Sequence, residues 1–517
     1  MILDGCSSRD LERADTPHID EIAERGASTL ECESVCPSAT YTAHCSIVTG
    51  SYPEVHGIVG NSFYDRERRA VVDLDSEGAN HFVLSSTIFE RLGVPGIAVG
   101  EPIDRGALES VSKGEVQARG LYERDEYAVE KCIELARLYE PGFSIVNLPG
   151  VDRVGELYGP SSPELVEHLE RIDLLIGELS SALEEIYDDY LLVILADHGM
   201  TRVRENVDLG EILEGLDAVV CTSHRSAHVY VGGEDFEEAL DRLSGDGRLE
   251  VVAAREELAR YRLLNPRSGD LFVVAKPGYE LGPEELRGSH GGLTPDEMKV
   301  PLIVNKREYA DLLEGADLTV VAEILARYFR EIRALELARE RSKSSDPAHG
   351  WDHTIRVLAL ATELAMDTGA DVEAVRLACI FHDVERGLDP RGHEVRSARL
   401  AERFLRKEKC PRELVEKVKR AILKHHARPG ELESLEEKIL WDADKLDALG
   451  LVGLARCLLE AGFKKEGVRE ALIHYARDSE EFGRSMHFDE TSRMALEKVS
   501  KAREFLKALE RELKESR

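Results

Sequence analysis

The chain has 517 residues, a formal net charge of −33 and 32% charged residues. That length has room for two or three domains with cores of their own, and the acidic surface disfavours long nucleic acids and anionic membranes as partners. The nine cysteines are odd in number, scattered and without a CxxC pair, which argues against a disulfide framework and for reduced thiols in the cytoplasm.

No apolar run approaches the ~20 residues needed to span a membrane. MILDGCSSRD lacks the basic start and long apolar centre of a signal peptide. The first strand is so short that a true N-terminus upstream is an open expectation. Residues 341–517 carry 34 Lys and Arg against 34 Asp and Glu, so the acidic excess lies wholly before 341. The composition changes where a domain boundary is expected. Gln117 is the only glutamine. Such depletion of labile amides beside abundant charge is expected of a heat-adapted protein, a thermophile's chain.

In chain order, the run MIL ends at Asp4. Thr16 and Pro17 read as the N-cap and first residue of a helix that stops before Gly26. A strand-like run at 28–35 stops at Pro37, and a short helix then opens on Thr40, Tyr41 and Thr42. That places a hydroxyl where helix N–H groups and the dipole favour an anion. A helix at 86–92, a strand at 96–99, a helix at 126–139, a strand at 143–148, a long helix at 163–186 and a buried strand at 190–196 come next. Such alternation predicts an α/β doubly wound, parallel sheet covered by helices.

Residues 218–275 break the alternation with short strands around a helix at 235–243, read as an inserted α+β cap within about 205–285. His224 and His228 lie there and are weighed mainly as strand or surface histidines. After VPLIV, a helix from 320 runs into SSDPAHG, where Ser, Pro and Gly without an apolar period mark a linker at 336–348, between domains at 1–335 and 349–517. From 351 the pattern is helical throughout, at 354–367, 372–384, 394–406, 412–425, 435–447 and 491–515. The last helix is amphipathic and reads as a packing or oligomer element, which makes a homo-oligomer one expectation.

An alcohol needs an adjacent base or a metal ion to attack at neutral pH. Asp4, Asp152 after FSIVNL, Asp197 and His198 after LLVILA, and His290 in GSHGG all lie at or near strand ends. In open parallel sheets that is where ligands bind. The order DG, PSAT with TG and HGI downstream, Asp152, DHGM and SHGG resembles the alkaline phosphatase superfamily, in particular its nucleotide pyrophosphatase/phosphodiesterase and phosphonoacetate hydrolase branches, over residues 1–305. The resemblance implies two divalent metals, zinc or manganese, one on Asp4, Thr40, Asp197 and His198, the other on Asp152, His290 and residue 156. It also implies Thr40 as nucleophile, a phospho-threonine intermediate, and a role for Asn61 in binding the phosphoryl group. Three positions depart from the pattern. Glu156 stands where the family has histidine, which shifts preference toward manganese or magnesium. Ala43 stands where the phosphodiesterases have asparagine, and Arg105 is the only cation in GIAVGEPIDRGAL, where phosphonoacetate hydrolases have carboxylate-binding lysines.

Six of the 17 histidines fall between 349 and 426. HGWDHTIRV, FHDVE, GHEVRSA, KHHARPG and DADKLDALG succeed one another on separate helices, so a bundle of four or five helices can turn them inward. The set is similar to the HD-domain superfamily of metal-dependent phosphohydrolases, over about 345–460. That resemblance implies one ion on His353, His382, Asp383 and Asp444, with Asp442 as the alternative to Asp444. A second ion would sit on His393 and His425, with His426 as the alternative to His425, the metal being Mn, Mg, Co or Fe.

The expected protein is therefore an α/β alkaline phosphatase-like domain with an inserted cap, followed by an all-α HD bundle. The expected function is hydrolysis of phosphodiester or pyrophosphate bonds in a small phosphorylated or nucleotide-like substrate, with the HD half a second phosphohydrolase. The alternative is a phosphonate hydrolase, phosphomonoesterase or phosphomutase with the HD half as a nucleotide-binding regulator. Neither a nucleic acid polymer nor a membrane is an expected partner.

Overall fold

The apolar, β-branched run Phe143–Leu148 is the strand its composition predicts, and it pairs in parallel with Ile2–Leu3 on one side and Gly96–Val99 on the other. A computed structural model describes residues 1–342, 347–387 and 389–515, and the chain divides into two units, Met1–Ala326 and Arg327–Arg517. The sheet of the first unit has seven strands, in the order Ala27–Glu33, Lys299–Val304, Val193–Leu195, Ile2–Leu3, Phe143–Leu148, Gly96–Val99 and Glu109–Val111.

One strand corrects the all-parallel expectation. Lys299–Val304 runs antiparallel to both its neighbours. The short segment between His290 and Lys299 has no length for a helical crossover, so the chain turns back into the sheet at the edge where the other strands end. This reversal has a consequence for the site. The residues just before Lys299–Val304 lie at the same edge as those just after Ile2–Leu3 and Val193–Leu195, which brings His290 toward Asp4 and Asp197.

The helices follow their caps. Pro17–Arg25 starts with proline in its first turn, and Pro163–Ile186 begins after Ser162, whose Oγ accepts from Leu165 N at 3.2 Å. Leu165, Leu169, Ile172, Ile176 and Leu179 recur at helical spacing and are buried. The cap is a four-stranded antiparallel sheet in the order Ala218–Ser223, Ser226–Val231, Leu271–Ala275 and Leu249–Ala254, joined by the helix Phe236–Gly245. It has a core of its own, with Val229, Leu243, Leu271 and Val273 at its centre. Its first strand, AVVCTS, has no counterpart in the sequence reading.

The second unit is helical among the described residues, and its boundary falls inside the helix Val320–Ser342. Residues 336–342 of the expected linker are the end of that helix, and residues 343–346 lie outside the described residues. The predicted helices appear as Trp351–Thr368, Val372–Phe381, His393–Lys407, Arg412–Lys424, Leu435–Asp447 and Asp489–Glu515. Gly450–Lys464 and Val468–Gly483 are additional helices, in a stretch where glycines obscure the period. Val357, Ala361, Leu377, Phe381, Ile422 and Leu440 form the centre of the bundle. Among the described residues no helix is long and apolar enough to cross a membrane.

Candidate functional site

The helix Thr40–Thr49 starts after Ala39 and is buried along its whole length. The first hydroxyl of that helix therefore stands at a buried helix N-terminus. Thr40 Oγ1 lies 3.3 Å from His198 Nε2. His198 Nδ1 donates to Gly199 O at 3.1 Å, which leaves the lone pair on Nε2. That nitrogen faces Asp197 Oδ2 at 3.1 Å and Asp4 Oδ1 at 3.7 Å.

Asp152 and Glu156 stand one turn apart on the helix Gly150–Tyr158, so Asp152 belongs to a helix's first turn and both carboxylates share a face. His290 Nδ1 donates to Ser38 O at 3.0 Å, and its Nε2 lies 3.7 Å from Asp152 Oδ1. The His290 ring stacks on His198 with centroids 3.7 Å apart. The structure thus brings together Asp4, Thr40, Asp152, Glu156, Asp197, His198 and His290. Ligand atoms of Asp152, His198 and His290 lie within 4.8 Å of one another, as do those of Glu156, His224 and His290. Asn61 is there too. Its Oδ1 accepts Tyr41 N–H at 3.3 Å, so its amide nitrogen is left for the cleft. Asp4, Thr40, Asn61, Asp152 and Glu156 all line this cleft of about 780 Å³.

Two residues here, His44 and Lys113, escaped the sequence reading, and a third, His224, was given the wrong weight. His44 lies one turn after Thr40, with Nδ1 2.8 Å from Glu101 Oε2 and Nε2 3.5 Å from Asp197 Oδ2. The i, i+4 spacing on a helix was the available signal. Lys113 lines the cleft, 2.7 Å from Asp75 Oδ1 and 4.5 Å above the Tyr41 ring. It comes just after the stretch in which Arg105 is the only cation. Arg105 is tied instead to Glu90 and to the carbonyls of Val83 and Ser85. His224 lines the cleft against His290, contrary to the weight given to a strand or surface role. His228 does stay in the cap, bonded to Val59 O at 3.0 Å and Gly269 N at 3.2 Å.

The donor set can be tested for cations. Asp4 Oδ1, Asp152 Oδ1, Asp197 Oδ2 and His44 Nε2 are buried without a hydrogen-bond partner among the described residues. Burial, then Asp4, pushes the Asp197 carboxyl up to about 6; burial, then Glu156, Asp4 and Asp197, pushes Asp152 well above the usual carboxylate range. Such crowding is costly without positive charge between the carboxylates. Orphaned carboxylate oxygens among lone-pair imidazoles fit divalent ions.

In the second unit, Asp383 presents one oxygen to each of two clusters. Its Oδ2 is 3.8 Å from both His353 Nε2 and His382 Nε2, and its Oδ1 is 2.7 Å from His393 Nε2 and 3.5 Å from His425 Nε2. Asp444 Oδ1 lies 3.4 Å from His353 Nε2. Every outer nitrogen is committed. His353 Nδ1 meets Asp447 Oδ2 at 2.8 Å, and Nδ1 of His382, His393 and His425 meets the carbonyls of Cys379, Pro390 and Ile422, each at 2.7 Å. The Nε2 atoms therefore face inward, the arrangement seen in metal-ligating histidines. They come within 3.2 Å of each other in His353 and His382, and 3.3 Å in His393 and His425. Two bare nitrogens so placed repel, and a positive charge between them removes the conflict.

Asp442 is not part of this cluster. It accepts from His487 N at 2.9 Å and Thr491 Oγ1 at 2.6 Å, and so ties down the start of the last helix. His426 stays close, with its ligating nitrogen within 4.8 Å of those of Asp383, His393 and His425. Asp447, which braces His353, Arg356 and Arg456, is the residue that sequence reasoning missed here.

Comparison with known proteins gives a family to each of the two stretches. Residues 1–293 match the family model for type I phosphodiesterase/nucleotide pyrophosphatase, and residues 350–449 match that for the HD domain. An uncharacterized pyrophosphatase/phosphodiesterase of Schizosaccharomyces pombe is 30% identical over 252 residues, 46% of this chain and 51% of that protein. Human ectonucleotide pyrophosphatase/phosphodiesterase family member 1 is 30% identical over 207 residues, 36% of this chain and 21% of that protein. The chain thus spans about half, or less, of the length of these curated relatives. Among solved structures, murine ectonucleotide pyrophosphatase/phosphodiesterase 5 superposes with a TM-score of 0.56 at 21% identity, over 63% of this chain and 93% of that one. Phosphonoacetate hydrolase from Sinorhizobium meliloti, in complex with phosphonoformate, gives 0.51 at 23%, with the same coverage. An inactive variant of the murine protein is in complex with AMP.

Proposed function

The chain belongs to the type I phosphodiesterase/nucleotide pyrophosphatase family and also carries an HD domain, and we propose that it hydrolyses phosphoester or phosphoanhydride bonds, its first unit cleaving a small nucleotide-like phosphodiester or pyrophosphate through Thr40. The observation that carries this reading is the convergence of the Thr40 hydroxyl, at a helix N-terminus, and the carboxylates of Asp4 and Asp197 on His198 Nε2.

Asp4, Asp197 and His198 would hold one divalent ion beside Thr40, and Asp152, Glu156 and His290 a second, with zinc or manganese the expected metals. Bound there, the ions supply Lewis acidity and neutralise the charge of the phosphoryl oxygens. Thr40 Oγ1 is positioned as the attacking atom. It forms a bond to phosphorus as the bond to the leaving oxygen breaks, and water then attacks the phospho-threonine ester, restoring the hydroxyl and releasing the phosphoryl product. The Asn61 amide nitrogen donates toward the phosphoryl oxygens, and the N-terminus of Thr40–Thr49 favours their negative charge. The AMP complex of the murine relative supports a nucleotide as substrate.

In the second unit His353, His382, Asp383 and Asp444 would hold one ion, and Asp383, His393 and His425 another, with Mn, Mg, Co or Fe as the expected metals. We read it as a second phosphohydrolase, because both oxygens of Asp383 are committed to inward-facing imidazoles. Nine cysteines, odd in number and without a CxxC pair, support a cytoplasmic location. The acid surface supports a small substrate rather than a polymer, and the single glutamine supports a heat-adapted source.

The test uses the full chain with each metal in turn, on diesters, nucleoside triphosphates, phosphonates and monoesters. Thr40→Ala is expected to remove diesterase and pyrophosphatase activity and leave the second activity, and Asp383→Ala to do the reverse. Full diesterase turnover by Thr40→Ala ends this reading.

A further inference from the structure

Resting on the reading that Asp152, Glu156 and His290 hold one of two ions, we propose that the cap supplies that same divalent ion with a further ligand, His224. The residue is the first of the two that join Ala218–Ser223 to Ser226–Val231, where Ser223 and Ser226 form the last pair. Its φ is +57°, the left-handed conformation that a non-glycine residue keeps only where its surroundings enforce it, and such positions cluster at functional sites.

The surroundings do enforce it. Arg225 is fully buried and donates from its backbone N to His290 O at 2.9 Å. Its guanidinium pairs with Glu297 and donates to Tyr279 O at 3.1 Å and Ala275 O at 2.7 Å. His224 O accepts from Leu281 N at 3.2 Å. On the facing loop, Gly291 has a φ of +94°, and a Cβ there would collide with Ser223 O. The hairpin tip is thus clamped onto the loop that carries His290.

The result is that the His224 and His290 ring centroids lie 4.0 Å apart, and the ligating atoms of Glu156, His224 and His290 lie within 4.8 Å of one another. Arg153 takes one oxygen of Glu156 at 2.7 Å, which turns the carboxylate toward single-oxygen ligation. Two imidazoles and a carboxylate from three separate elements suit zinc, cobalt or manganese. The cap thereby becomes a structural part of the metal centre and not only a wall over the cleft.

The test counts ions. The full chain, carrying Asp383→Ala so that ions held by the helical unit do not mask the result, is stripped of metal and titrated with Zn²⁺ and Co²⁺ against a chelating indicator. The visible spectrum of the Co²⁺ form is recorded alongside. His224→Gln keeps volume but is a poor ligand, and it is expected to bind one of two ions at least ~10-fold more weakly and to shift the cobalt bands. His228→Gln is expected to change neither. Two ions of undiminished affinity in both His224→Gln and His224→Ala overturn the proposal. His290→Ala separates this from the reading beneath it. Loss of an ion there, with none in the His224 variants, removes His224 alone as a ligand, whereas full occupancy in His290→Ala shows that the centre itself is misplaced. Should His224→Ala unfold, the isosteric His224→Gln decides.

Discussion

Thr40 Oγ1 and His198 Nε2 face each other across 3.3 Å, although 158 residues separate them in the chain. The hydroxyl and the imidazole beside it reach one point because one opens a helix after Ala27–Glu33 and the other comes just after Val193–Leu195. Removing the hydroxyl leaves both aspartates and the histidine in place, so the loss should fall on the chemistry and not on substrate or metal binding. Thr40→Ala is expected to lower kcat for a diester by about 10³-fold or more, with KM and metal content near their starting values. Thr40→Ser is expected to retain most of the activity, and a phosphoryl adduct on residue 40 should be caught by mass spectrometry after an acid quench. A Thr40→Ala enzyme with wild-type kcat would refute the assignment.

The two aspartates of DADKLDALG should separate cleanly in the second unit. Asp444 faces His353, whereas Asp442 bonds His487 and Thr491. Asp444→Asn is expected to cost metal affinity and the second activity with little change in unfolding. Asp442→Ala leaves buried donors unpaired, which costs roughly 1–3 kcal/mol for each such group, so its effect should be read in thermal unfolding while metal content stays intact. Metal analysis and calorimetry on the pair tell them apart, and equal metal loss in both would show that Asp442 had been wrongly excluded.

Much of this candidate site was legible because a carboxylate or imidazole at a strand end sits beside a conspicuous apolar run. Asp197 and His198 after LLVILA are the plain case, and Phe143–Leu148 and Pro163–Ile186 were found with their bounds. The misses have physical causes. Strand direction is not written in side chains, so the antiparallel entry of Lys299–Val304 was invisible, and with it the reason His290 reaches the edge. His224 sits on a hairpin tip whose position depends on Arg225 packing against a distant loop. His44 looks like any helix residue until its neighbour Glu101 is known. Asp442 and Asp444, two apart on one helix, point to different sides, and a helix's phase cannot be read from DAD alone.

Heat resistance is the next expected outcome. Asp447 is shared by His353, Arg356 and Arg456, with N···O distances of 2.8, 2.6 and 2.8 Å. Glu437 is likewise shared by Arg420 and Lys424 at 3.0 and 3.2 Å. Networks of this kind lose less to desolvation as temperature rises, unlike isolated surface pairs. Thermal unfolding of the full chain is expected above the ~65 °C that bounds most mesophilic domains. A Tm near 50 °C would leave the missing glutamines without this explanation.

Acid should weaken the first unit through histidines remote from the candidate metal centre. His228 is buried in the cap, hydrogen-bonded to Val59 O and Gly269 N, and burial lowers it from 6.5 to about 4. His56 is buried beside Ser46, 2.9 Å away, and burial lowers it to about 3. Both are neutral in the folded state. Below pH ~6.5 the unfolded chain binds protons at these positions while the folded chain does not, so stability falls as pH drops from about 6.5 toward 4. It is at full value above 6.5, and each group contributes a slope approaching ~1.4 kcal/mol per pH unit within that window. Urea unfolding at pH 7 and pH 5 measures the slope, and His228→Gln should reduce it by about one such contribution. An identical slope in His228→Gln and the parent would show that this histidine is already charged, or solvated, in the folded protein.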